Sequence, residues 1–266
     1  MSEDAVVTRR RDVQYVQLCE ALTLDGCPIC AFALMSVYRY LDHFLYEFVN
    51  DPWVRAELVE SRGFCTMHSA QLLGFRDPTG VAIVYGHMLQ EFREALRDAC
   101  RRYPAGLPAK TPWRRTRAGG ELRRTLEQWR TPRVLCPACQ IQRNTEDSYM
   151  SRLLRGLAYE DFLTSYRASS GICVPHLLQA LRRCTVPEQV TRLLDAEEAT
   201  LEALQWELSE LVRKVSYEFQ HEPRGHEQTS WQRVIEKLYG RPGMVWPGQV
   251  AAVPAPTSRE GPTLHA

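Results

Sequence analysis

The sequence predicts an all-α protein built from two helical repeats, each with a Cys3His metal site, followed by a long C-terminal helix and a disordered tail. Three observations carry that expectation. A spacing of Cys and His residues occurs twice, apolar residues recur at helical intervals, and turn residues fall between the helical stretches rather than between alternating strands.

The repeated spacing is Cys-x2-Cys-x34-Cys-x2-His over Cys27, Cys30, Cys65 and His68, and Cys-x2-Cys-x33-Cys-x2-His over Cys136, Cys139, Cys173 and His176. Flanking residues agree as well. Cys27-Pro28-Ile29-Cys30 matches Cys136-Pro137-Ala138-Cys139, and Gly63-Phe64-Cys65 matches Gly171-Ile172-Cys173. Buried cysteines acting as small hydrophobes have no reason to fall into two ordered quartets.

Each Cys-Pro-x-Cys opens a helical stretch, 31–49 in the first copy and about 140–158 in the second. Proline suits a first helical turn, and the positive end of the helix stabilises the thiolate that ligates metal. In the first copy Asp51 is expected to cap a short helix opening at Pro52, which Gly63 ends. The next helix should start near Cys65, as its counterpart should near Cys173. Both ligand pairs of a copy therefore sit at helix starts, and the matched spacing predicts that each quartet closes on itself. Three thiolates and one imidazole are the ligand set of a closed tetrahedral zinc site, so two zinc ions per chain are expected. An iron–sulfur cluster and a redox dithiol use similar spacings and are the alternatives.

The other Cys and His residues are read as structural. Cys19, Cys100 and Cys184 have no repeat partner and are taken as core or surface thiols. His43 and His87, set in apolar helical stretches, are taken as core or boundary histidines; His221, His226 and His265 lie in polar segments. There is no Gly-rich phosphate loop, His-Glu-x-x-His or nucleophile elbow, and four protein ligands leave a zinc ion no open position. A non-enzymatic interaction or regulatory protein with an unknown protein partner is the expectation.

The repeats are assigned to residues 12–100 and 134–239, with a linker over 101–133 and the tail over 240–266. The linker holds ten Lys or Arg against two acids, although the whole chain has a net charge of only +1. Arg114, Arg115 and Arg117, interleaved with Tyr103, Trp113 and Trp129, could contact RNA or single-stranded DNA through phosphates and stacked bases. A solvated loop paired with the acidic remainder is the plainer reading. Thr185-x-x-Glu188 looks like a capping box for a helix from Pro187 to about Phe219. Its seam is Val190, Leu194, Leu201, Leu204, Leu208, Leu211 and Val215, broken at Glu197. That seam packs on its own domain or joins two chains as a homodimer. The N-terminus has no export-signal pattern and no apolar run is long enough to span a membrane, so a cytoplasmic protein without membrane contact is expected, its thiols kept reduced.

With these motifs laid out, the chain resembles an uncharacterised bacterial family that is known only as a domain of unknown function. The residues that carry the resemblance are Cys27-Pro28-x-Cys30, Asp51-Pro52-x-Val54-Arg55, Ser61-Arg62-Gly63-Phe64-Cys65-x-x-His68, the second Cys-Pro-x-Cys, Gly171-x-Cys173-x-Pro175-His176-Leu177, and Glu222-Pro223-x-Gly225-x-Glu227 with Trp231. The resemblance spans nearly all of the chain before the tail and implies the same eight ligands. It brings no activity with it.

Overall fold

The computed structural model describes residues 13–102 and 117–241. Among these residues there are eleven α-helices and no strand. They are α1 (Val13–Ala21), α2 (Pro28–His43, continued by a π turn over Phe44–Phe48), α3 (Pro52–Ser61), α4 (Thr66–Gly74) and α5 (Pro78–Arg102). Then come α6 (Arg117–Arg130), α7 (Pro137–Gly156), α8 (Glu160–Arg167), α9 (Val174–Leu181), α10 (Pro187–Arg213), a 3-10 turn (His226–Thr229) and α11 (Ser230–Tyr239). No helix among the described residues is long and apolar enough to cross a membrane.

The chain divides into two compact units, and the division falls inside α2 and α7. The described residues of the first unit are 13–35 and 143–241; those of the second are 36–102 and 117–142. The first unit has a core of Leu18, Ile29, Met150, Leu153, Tyr166 and Leu193 with their neighbours, in which Phe32 stacks on Tyr149 with ring centroids 3.8 Å apart. The core of the second is built on Val37, Leu41, Phe44, Leu58, Phe64 and Leu72, and Phe44 meets Phe64 edge to face at 5.2 Å.

Local chemistry explains the helix boundaries. Asp51 accepts hydrogen bonds from the amides of Trp53 and Val54 at 2.8 and 3.1 Å, with Pro52 in the first turn of α3, as the sequence predicts. At the other end of α3 two successive residues take left-handed backbone, Arg62 (φ 60°) and Gly63 (φ 82°), and turn the chain into Cys65. The capping box expected at Thr185 does not form. Val186 precedes α10 without a side-chain cap, and Gln189, one residue beyond the expected Glu188, reaches back to the Thr185 amide at 3.1 Å.

The seam read along α10 also differs. The buried face is Leu193, Ala196, Glu197, Thr200 and Leu204, while Leu194 and Val215 are 43% and 78% exposed. The buried stripe is therefore displaced around the helix from the seam expected, sharing only Leu204 with it, and two polar residues join it because they have buried partners. His43 is exposed and faces Glu47 at 3.7 Å instead of lying in the core. Within the basic segment 101–133, residues 117–130 form α6, which packs on α5 through Trp129 against Phe92 at 4.7 Å. Arg114 and Arg115 lie outside the described residues, as does nearly all of the tail; only Gly240 and Arg241 of it are described.

Candidate metal centres

The eight repeated Cys and His residues gather into two four-ligand clusters, but each cluster takes half of its ligands from each sequence copy. Cys27 and Cys30 meet Cys173 and His176 in the first unit, and Cys65 and His68 meet Cys136 and Cys139 in the second. The expectation that each quartet closes on itself is therefore corrected. Spacing within a copy is blind to this choice, because both pairings use the same two kinds of ligand pair.

Every ligand pair stands at a helix start, as the sequence predicts. Cys27 and Cys136 directly precede α2 and α7, while Cys65 and Cys173 are the N-caps of α4 and α9. One turn into each helix comes Cys30, His68, Cys139 or His176, so the x2 spacing brings both side chains of a pair to the same end. Gly171, with φ of 63°, makes the turn into Cys173.

In the first cluster the His176 Nδ1 lies 3.4, 3.4 and 3.1 Å from the sulfurs of Cys27, Cys30 and Cys173, and the last two sulfurs are 3.6 Å apart. In the second, His68 Nδ1 lies 3.2, 3.6 and 3.3 Å from Cys65, Cys136 and Cys139, with Cys65 and Cys139 3.6 Å apart. A tetrahedron with metal–sulfur bonds of about 2.3 Å has edges of about 3.7 Å, so these spacings fit four ligands around one ion. The first cluster is fully buried, whereas Cys65 and Cys139 of the second are half-buried.

Left to themselves these groups share protons. Burial opposes a charge on Cys27, yet hydrogen bonding with Cys173, Cys30 and His176 holds its thiol well below the ordinary range. Cys30 is driven up by its bonds to Cys173 and Cys27 and by burial. Burial works against a charge on His176 too, but the thiols of Cys173 and Cys27, with Glu146, raise it to about 12. In the second cluster burial lowers His68, opposed by a bond to Gln142, and burial with the charges of Cys136 and Cys65 lifts Cys139 to about 12. A cation replaces shared protons of this kind when it binds. Both imidazoles find their outer partner on α7. His176 Nε2 is 3.7 Å from the Glu146 carboxylate and His68 bonds the Gln142 side chain, contacts of the sort that orient metal-bound histidines.

Behind the first cluster stands a support that the sequence does not announce. Glu197, 2% exposed, accepts hydrogen bonds from the Ile172 amide at 2.8 Å and from the Tyr166 hydroxyl, and pairs with Lys237, 7% exposed, at 2.6 Å. The Lys237 ammonium also donates to the Ser170 carbonyl and the Thr200 hydroxyl. This network fixes the turn 170–172 that delivers Cys173. It also leaves no room at Gly171, where a Cβ would stand 2.6 Å from Glu197 Oε1 and 2.8 Å from Lys237 Nζ. The break at Glu197 in the apolar seam was its one trace in the sequence. Gly240, at the end of α11, covers the cluster from outside; a Cβ there would lie 3.6 and 3.8 Å from the sulfurs of Cys173 and Cys30.

A family model described as a family of unknown function (DUF6062) matches residues 10–243. The chain is also similar to an uncharacterized 23.9 kDa protein in the xynA 3' region of Caldicellulosiruptor sp. (strain Rt8B.4), at 24% identity over 222 residues, which are 81% of this chain and 96% of the relative. No solved structure matches.

Proposed function

The chain belongs to the family of unknown function DUF6062, and on that premise we propose that it is a non-enzymatic zinc protein whose two sites are structural, serving as an interaction or regulatory module. The observation that carries this reading is the closure of each cluster by four protein ligands at tetrahedral spacing. A filled tetrahedron leaves no position for substrate or activated water, and mixed thiolate–imidazole ligation suits zinc. Ligand atoms within 4.8 Å of one another surround a single ion more readily than the several atoms of an iron–sulfur core. Because each cluster joins segments more than 65 residues apart, metal binding contributes directly to folding.

An interaction role is supported by α11, which is amphipathic in an unusual sense. It buries Ser230 and Lys237 and leaves Trp231, Ile235 and Leu238 about half exposed, a stripe at i, i+4 and i+7 of the kind that meets a protein partner. The nucleic-acid reading has weaker support. Arg123, Arg124 and Arg130 are exposed on α6, but Trp129 packs on Phe92 and under Arg62 at 5.2 Å rather than offering a face for base stacking.

The test is elemental analysis of protein purified without oxygen, followed by chelation monitored by circular dichroism. Two zinc ions per chain, with loss of helix on chelation, are expected. Iron with acid-labile sulfide, or a fold indifferent to complete metal removal, overturns the reading.

A further inference from the structure

The first unit contains a cavity of 390 Å³ beside the buried cluster, with Cys27 and Cys173 in its wall. Its volume gives room for roughly a dozen non-hydrogen atoms, taking ~30 Å³ as the share of a liquid water. Neither the cluster's geometry nor the proposed structural role uses this space. We infer that the cavity is a binding site for a small organic monocarboxylate, anchored by Arg167.

The charges around the cavity decide the ligand's chemistry. Lys237 is matched by Glu197 at 2.6 Å, and Arg233 by Glu207. His226 lies between two carboxylates, its Nε2 3.0 Å from Asp25 and its Nδ1 3.0 Å from Glu207. Arg233 also donates to the His226 carbonyl at 2.8 Å, which ties it to the backbone of the turn that carries His226, while Glu207 and Asp25 favour the protonated imidazole. Arg167, at the end of α8, is the exception: it lines the cavity and has no ion-pair or hydrogen-bond partner among the described residues.

One unmatched guanidinium calls for one negative charge. A carboxylate meets its planar fork with two parallel hydrogen bonds, whereas a dianionic phosphate would also face the Asp25 and Glu207 carboxylates in the same wall. Leu24, Ala203 and Leu204 supply an apolar side to the same space, and Ser170 also lines it, so the rest of the ligand is a short carbon skeleton with room for a polar substituent.

The site is tested on the full-length, metal-loaded chain with acetate, L-lactate, succinate and inorganic phosphate at equal ionic strength, read by thermal midpoint and by titration calorimetry. At least one of the monocarboxylates should raise the midpoint saturably. Arg167→Ala, at an exposed position that the fold does not need, should weaken that binding by about tenfold or more, as expected for loss of a charge-assisted pair. Arg155→Ala, an exposed arginine on α7 that does not line the cavity, should leave it unchanged. The inference is overturned if no monocarboxylate gives a saturable response, if phosphate alone does, or if Arg167→Ala binds as the parent chain does. Each readout is a difference between samples of the same metal content with and without the carboxylate, and metal content is assayed separately, so a failure here is separable from a failure of the structural-zinc reading.

Discussion

Cys65 stands 3.6 Å from Cys139 and 35 residues from the nearest cysteine of its own copy, Cys30, with which it shares no cluster. That partition has a direct chemical signature. Cys65→Ser should lower metal content by one ion per chain and make Cys136 and Cys139 reactive toward a thiol reagent, while Cys27 and Cys30 stay protected; peptide mapping of the labelled cysteines reads the result. Protection of Cys136 and Cys139 with labelling of Cys27 and Cys30 would restore the pairing within copies. A second residue-scale prediction concerns Lys237. Replacing it with Ala leaves the Glu197 charge buried without its counter-ion and should cost about 3–5 kcal/mol, measured by urea unfolding of the metal-loaded protein. A loss below about 1 kcal/mol is what an exposed ion pair gives and would show that water reaches this one. Sequence reasoning identified all eight candidate ligands yet passed over Glu197 and Lys237, because a charged residue on a helix ordinarily belongs to its solvated face. Only the partners that meet it in space, the Ile172 amide and the Tyr166 hydroxyl, reveal an inward one.

The join between α10 and α11 depends on Glu227 in the 3-10 turn. The Gly225 amide, with the Lys214 ammonium at 2.9 Å, holds its carboxyl down at about 2. A carboxylate depressed by folding contributes stability that is fully present above its unfolded value, near 4.5, and is lost as pH falls toward the folded value. Glu227→Gln should therefore be less stable than the parent chain at pH 6, and the gap should close between about pH 4.5 and pH 2. Comparing two chains that both shed metal in acid isolates this contribution; a gap constant across the range would sink the assignment. Helices were the legible part of the sequence at this scale: the Asp51 cap, Pro52, and the helix starts at all four ligand pairs follow from local rules. The Thr185 box and the outward seam of α10 did not survive. Both were read from patterns that several neighbouring residues satisfy equally well, and tertiary contacts chose Gln189 and the Leu193 to Leu204 stripe.

For the whole molecule, exchange of ligand pairs means that neither copy holds a complete cluster. Residues 1–102 and 117–241, produced separately, should each bind metal weakly, and mixing them should restore two tightly held ions with a gain of helix by circular dichroism. Full metal occupancy of either fragment alone would contradict the exchanged pairing. Sequence spacing could count the ligands but not distribute them, since distribution depends on which helix starts face each other across 68 residues or more of chain. The same exchange bears on how such a chain could have arisen. Two identical ancestral chains related by a twofold axis, each lending its Cys-x2-Cys to the other's Cys-x2-His, would form two equivalent sites at a self-complementary interface. Joining them end to end preserves both sites while freeing the halves to diverge. By that history two chains became one, and among the described residues the pair Glu197 and Lys237 now stands behind the first of the once-equal centres alone.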